Sequence, residues 1–236
     1  MSDSNRAFGI FAKYPHPGKV KTRLAKNLGE ETACELYRAF LGDLVSRLGT
    51  HFQKQCVLCF TPDDSDSNRF FGILSDLAEI SHWPQPEGDL GTRLSAFFDE
   101  QFQRGTEKAI VIGSDSPTLP VPLVENAFEQ LSHFDCVLGP SVDGGFYLLG
   151  LSHFVADIFQ DIDWSTTRVL EQVVTQIEKS NTNFSLLPPW YDVDSLDDLR
   201  FLRGHLQALE LSGEKDLPTE TIRFLDRYST DKPDRL

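Results

Sequence analysis

The sequence predicts an α/β fold, with a mostly parallel sheet between two helical layers in a three-layer α/β/α sandwich. Three observations predict it. Short apolar runs such as 109–112 (Ala-Ile-Val-Ile) alternate with stretches whose apolar residues recur every three or four positions. Several of these runs are apolar throughout, as strands covered on both faces are. At 236 residues, the chain is long enough for one sizeable domain and shows no repeat or low-complexity segment. Residues 1–212 are therefore taken as one domain, with 213–236 as an extension that is partly helical and frays.

The first strand is expected at 7–12 (Ala-Phe-Gly-Ile-Phe-Ala), followed by a loop from Lys13 to Arg23 that holds Pro15, Pro17 and Gly18. Between 30 and 48, Ala33, Leu36, Tyr37, Phe40, Leu41, Leu44, Val45 and Leu48 fall at helical spacing, with Gly49 placed to end the helix. A strand at 56–60, a helix at 69–77 and a strand at 80–83 come next. The turn 88–92 leads into a helix at 93–102. The run 109–112 must stop at Gly113-Ser114-Asp115-Ser116-Pro117, because Pro117 cannot join a ladder and biases Ser116 away from helix. A helix at 121–131, strands at 136–139 and 145–151, a helix at 167–177 and a strand at 184–187 follow. Ser195, with Asp197 and Asp198 in the first turn, starts the last long helix, and 220–227 is a short one.

Composition narrows the function. With 40% hydrophobic and 25% charged residues, the chain is not a disordered one. No apolar run approaches bilayer length, and Met-Ser-Asp-Ser-Asn lacks the basic and apolar regions of a signal peptide, so a cytoplasmic location is expected. Cys56 and Cys59 form a C-x-x-C inside an apolar strand, which reads as buried cysteine rather than a zinc or redox pair. A formal net charge of −14 argues against nucleic acid or an anionic membrane as partner. Yet residues 1–26 hold Arg6, Lys13, Lys19, Lys21, Arg23 and Lys26 against the single acid Asp3. A basic island in an acidic chain suggests a local anion site.

Six stretches carry candidate chemistry. The loop 13–23 offers backbone amides near Gly18, a bidentate grip from Arg23 and point charges from Lys13, Lys19 and Lys21, which suits nucleotide phosphates; it is neither a Walker A loop nor a G-x-G-x-x-G fingerprint. His16 is the one histidine of interest, since it lies within this loop. In 83–93, Gly88, Gly91 and Thr92 at a helix start let a flat ligand approach, and Gln85 has the donor and acceptor atoms that base reading requires. Asp115 ends a central strand, where ligands bind in open α/β sheets, and Asp143, flanked by Gly144 and Gly145, ends another; paired carboxylates there make a magnesium or manganese site, while turn capping is the simpler alternative. Asp192-Val193-Asp194 sends its two carboxylates to opposite sides, so that one can join a metal while the other caps the helix at Ser195, although capping alone also explains it. Asp163-Trp164-Ser165-Thr166-Thr167 reads as a helix start first and a ligand loop second.

Together, F-A-K-Y-P-H-P-G-K-V-K-T-R-L, G-D-L-G-T-R-L, G-S-D-S-P and D-G-G-F-Y resemble the GT-A-superfamily transferases called radical-SAM/selenodomain-associated transferase 1, from about Phe8 to Arg200. More distantly, the chain is similar to molybdenum-cofactor guanylyltransferases and the guanylyltransferases of coenzyme F420 synthesis. It departs from both subclasses: Pro-Gly-Lys-Val-Lys-Thr-Arg stands where nucleotidyltransferases carry Gly-Gly-x-Gly-x-Arg, and Ser-Asp-Ser where glycosyltransferases show D-x-D. The resemblance implies a nucleotide-diphospho-sugar transferase-like fold and a metal-dependent transferase using a nucleotide donor and a small-molecule acceptor. Glycosyl transfer is the first expectation. Nucleotidyl transfer with pyrophosphate release is the second, and a non-catalytic nucleotide-binding module the third. It implies that Lys13, Gly18, Lys19, Gln85, Gly91, Thr92, Arg93 and Ser114 hold the donor, that Asp115 and Asp143 hold Mg2+ or Mn2+, and that Lys21, Arg23 and Asp143 take part in catalysis.

Overall fold

The apolar start of the chain forms β1 (Arg6–Lys13), buried along all but its ends. It pairs in parallel with β2 (Cys56–Thr61) on one side and β4 (Lys108–Ile112) on the other. In the computed structural model, which describes residues 5–231, β3 (Ser81–Pro84), β5 (Cys136–Pro140), β6 (Phe146–Leu151) and β7 (Phe184–Leu186) complete a seven-stranded sheet. Its order is β3-β2-β1-β4-β6-β5-β7. Only β6 runs against its neighbours β4 and β5. The tight turn 141–145 dictates this, since a parallel crossover needs a dozen residues or more. The mostly parallel expectation holds.

The helices are α1 (Thr22–Leu28), α2 (Glu30–Leu44), α3 (Thr50–Phe52), α4 (Ser65–Ala78), α5 (Leu90–Gln103), α6 (Val121–Gln130), α7 (Val169–Lys179), α8 (Leu196–Ser212) and α9 (Thr219–Asp231). One sheet face packs on α2, α4 and α6 through Leu41, Leu44, Phe71, Val124 and Phe128. The other packs on α5 and α7 through Leu94, Phe97, Phe98, Val173 and Ile177. The apolar stripes set by helical spacing thus each meet a strand face that is apolar too.

Three local departures have physical causes. The loop after β1 ends at Lys21, whose left-handed φ of 48° launches the short helix α1, so Arg23 belongs to a helix. Gly49 does not end the helix; the chain passes through a wider π turn at Val45–Gly49 into α3. The turn expected at 88–92 is largely the first turn of α5, capped by Asp89, which accepts from Thr92 N.

The short helix expected at 220–227 forms as part of α9 and docks on the domain. Asp43 of α2 accepts from Glu220 N, Thr221 N and Thr221 Oγ1 at 2.9, 2.8 and 2.6 Å, supplying the cap of α9 from another helix. Phe224, Leu225 and Tyr228 then bury against α2 and α8. The remainder of the predicted tail, 232–236, and the N-terminal segment 1–4 lie outside the described residues. All four cysteines are free and buried. Burial pushes the Cys136 thiol up to about 12. Among the described residues, no helix is long and apolar enough to cross a membrane.

Candidate functional site

β1 and β4 are adjacent parallel strands whose outgoing connections diverge, β1 toward β2 and β4 toward the β6–β5 side. Their carboxyl ends therefore open a crevice, the ligand position of open α/β sheets. The loop 14–21 enters it from β1, and Ser114 and Asp115 enter from β4. A third strip, Asp192-Val193-Asp194, is pinned alongside: Val193 N donates to Asp115 O at 3.0 Å, and Ser116 Oγ to Tyr191 O at 2.9 Å.

Lys21 is the centre of this arrangement. Its Nζ lies 2.5 Å from Asp115 Oδ1 and 3.0 Å from Asp194 Oδ1, and 5.5 Å from the centre of the Phe40 ring. The lysine side chain is 2% exposed, whereas the two carboxylates are 44% and 36% exposed, so the pair presents its acidic side outward. Burial alone pulls the ammonium down, but Asp115 and then Asp194 outweigh it and lift Lys21 above the ordinary lysine range. These ion pairs also hold a left-handed backbone that costs a non-glycine residue about 1–2 kcal/mol.

Asp192 points elsewhere, as strand alternation demands. Its Oδ1 and Oδ2 lie 2.6 and 2.5 Å from Ser116 Oγ and Ser141 Oγ, tying the end of β4 to the end of β5. Burial raises its carboxyl, the two serine hydroxyls oppose that, and the charges of Asp115 and Asp143 reinforce it. Neither member of the D-x-D caps α8. Ser195 does, with Asp198 returning a bond to the Ser195 backbone.

Of the remaining loop residues, Lys13, Lys19 and Arg23 are exposed to solvent. Gly18 adopts φ 75°, and a Cβ there would stand 3.0 Å from the Glu30 carboxylate, so no larger residue fits without displacing it. His16 is exposed, with Nδ1 2.7 Å from Pro17 O, and lies outside the Lys21 cluster. Tyr37, which the helical pattern presents only as a core residue, reaches both sides of the crevice: Lys13 N donates to its Oη at 3.0 Å, and Ser114 Oγ lies 2.8 Å away.

The expected base-binding residues are more constrained than the sequence suggests. Gln85 is buried and tied to β2, its Nε2 donating to Cys59 O at 2.7 Å. Thr92 N and Oγ1 both donate to Asp89 Oδ1 at 2.8 Å. Gly91 is close-packed, but by protein: a Cβ there would stand 2.3 Å from Trp164 Nε1. Arg93 Nε is buried without a hydrogen-bond partner among the described residues. Asp143 is exposed, accepts from Gly145 N at 3.0 Å, and is not among the carboxylates on Lys21. The segment 163–167 is a loop rather than a helix start, with Asp163 ion-paired to Arg168. Among the described residues, no three His, Cys, Asp or Glu side chains form a preformed metal cage. The hard oxygens of Asp115 and Asp194 do fit Mg2+ or Mn2+, which commonly use one or two carboxylates plus ligand phosphates.

Residues 44–166 match the family described as "Uncharacterized protein conserved in bacteria (DUF2064)". The chain belongs to this family. A solved structure from Desulfovibrio desulfuricans G20, a candidate nucleotide-diphospho-sugar transferase, is 31% identical, with 96% of each chain covered and a TM-score of 0.85. Two more remote structures share the fold. A cytidylyltransferase from Leptospira borgpetersenii serovar Hardjo-bovis (strain JB197) is 12% identical, covering 97% of this chain and 95% of its own, with a TM-score of 0.56. The inositol-1-phosphate CTP transferase from T. maritima is 17% identical, covering 82% and 91%, with a TM-score of 0.52. No curated protein matches the chain. The GT-A-like α/β fold is thus shared with proteins named as nucleotide-using transferases.

Proposed function

We propose that this chain is a metal-dependent glycosyltransferase that takes a nucleotide-diphospho-sugar into the crevice between β1 and β4. The observation that carries the reading is the Lys21 bridge between Asp115 and Asp194, a buried cation with two carboxylates turned outward at a sheet switch point. The 31% identical candidate nucleotide-diphospho-sugar transferase supports it, as does the resemblance to the radical-SAM/selenodomain-associated transferases.

In this reading, Lys13, Lys19 and Arg23 neutralise the diphosphate from solvent-facing positions, while Gly18 gives the loop its turn at φ 75°. Lys21, buried behind the two carboxylates, acts by holding Asp115 and Asp194 in register rather than by touching the leaving group. Asp115 and Asp194 would hold Mg2+ or Mn2+, which supplies further neutralisation of phosphate charge when bound. Gln85, Gly91 and Thr92 shape the base side through backbone and packing. Asp143, exposed beside the Asp192 strip, faces the acceptor. The work is mostly positioning and electrostatics, so no protein nucleophile is required.

The three solvent-facing cations favour one second reading, a nucleoside triphosphate donor and nucleotidyl transfer, because a triphosphate carries more charge than a diphosphate sugar. Pyrophosphate release separates the two. Thermal stability with nucleotide-sugars and triphosphates, with and without Mg2+ or Mn2+, identifies the donor by the rise in Tm. Asp115→Asn is expected to abolish metal-stimulated turnover while the urea unfolding curve shows a retained fold. Undiminished turnover in that variant refutes the assignment.

A further inference from the structure

Tyr37 of α2 is 3% exposed, and its hydroxyl joins the end of β1 to the end of β4. The direction of the two bonds follows from counting protons. Lys13 N–H can only donate, so Tyr37 Oη is the acceptor there, at 3.0 Å. The single phenol proton then needs an acceptor of its own, and Ser114 Oγ at 2.8 Å is the one among the described residues. The opposite polarity would leave a buried O–H unpaired, at a cost of about 1–3 kcal/mol. With Tyr37 donating, the proton of Ser114 is left over. Ser114 is itself 5% exposed, and no described protein group accepts from it. It directly precedes Asp115 just past the carboxyl end of β4, and Tyr37 links its Oγ to the backbone of Lys13 at the end of β1.

We propose that Tyr37 is a positioning residue that fixes Ser114 Oγ–H as a hydrogen-bond donor to a phosphate oxygen of the bound nucleotide. This role rests on the donor reading above. It explains why a tyrosine occupies a buried helical position where a phenylalanine would pack equally well. Burial, and then the charge of Asp115, raise the phenol above its ordinary range, so the proton the relay needs is retained. A charge-assisted bond from Ser114 to phosphate is stronger than the neutral bond it shares with Tyr37.

The test uses magnesium pyrophosphate, the moiety common to such donors, titrated by calorimetry into the wild-type chain, Tyr37→Phe, Ser114→Ala and the double variant. Each single variant is expected to bind about tenfold more weakly, as loss of a bond to a charged group implies. The double variant is expected to bind no more weakly than Ser114→Ala, because Tyr37 acts through Ser114. A loss that multiplies in the double variant, or a Tyr37→Phe chain that binds as the wild type does, overturns the role of Tyr37 and leaves the donor reading intact. Ser114→Ala, which only removes a hydroxyl, keeps the test decisive should Tyr37→Phe fold poorly. A wild-type chain that takes up no pyrophosphate refutes the donor reading itself, and this role with it. In the ligand-free chain, the Tyr37 hydroxyl proton is expected as a slowly exchanging NMR signal with cross-peaks to Ser114 and the Lys13 amide; a rapidly exchanging hydroxyl also overturns the relay.

Discussion

The loop after β1 and the loop before α7 hold their charges in opposite ways. The loop after β1 buries Lys21 between two carboxylates and anchors its first residue, through Lys13 N, on the phenol of Tyr37. The loop before α7 keeps its own pair in water: Arg168 and Asp163 are 62% and 58% exposed. What that second loop does bury is an aromatic contact, Trp164 laid on Gly91 and edge-on to Phe146 at 6.5 Å. The first loop is thus held by electrostatics in a dry place, the second by shape. A charge pair matters according to how much water it has lost, so similar-looking ion pairs in one molecule have unequal weight.

Substitutions can break this contrast, and the largest effect is expected at Lys21. Lys21→Met leaves Asp115 and Asp194 facing each other without their cation. Complete burial of such a pair would make the loss about 3–5 kcal/mol; both carboxylates keep some water, so urea unfolding is expected to show about 2–4 kcal/mol. A loss below 1 kcal/mol would mean that the bridge is not what holds the loop. Gly91→Ala comes next. Its new methyl collides with Trp164, and overpacking of this kind costs about 1–3 kcal/mol. Trp164→Ala in the same chain is expected to recover part of that, because the clash partner is gone; additive losses in unfolding experiments would contradict the contact. Arg168→Ala sits at the small end, within about 1 kcal/mol of the wild type and shrinking further with salt. A larger change would give the second loop an electrostatic role that its exposure argues against.

Much of the site was legible in the chain, though unevenly. Asp115 was found because Pro117 forces the strand to stop, a signal carried by immediate neighbours. The basic loop stood out by charge alone. Within that loop, however, Lys19 and Lys21 look alike, and nothing in the local pattern says that one is exposed and the other buried. Tyr37 was hidden by its own spacing, since a tyrosine on an apolar helical face reads as core and its hydroxyl partner lies 77 residues away. Gly91 was singled out as a place where a flat ligand approaches the backbone; in the fold Trp164 lies against it. Asp143 was paired with Asp115 on the strength of two similar strand ends. What the local pattern does not show is Asp194, which the fold joins to Asp115 through Lys21.

The sequence by itself determined the alternation of strands and helices, the buried parallel character of the central strands and the Ser195 cap, because each depends on residues a few positions apart. The docking of α9 on Asp43 and the partnership of Lys21 with Asp194 were decided only by tertiary structure. Those partners are 177 or more and 173 residues apart, and their energies depend on water excluded by surrounding elements that no local window contains.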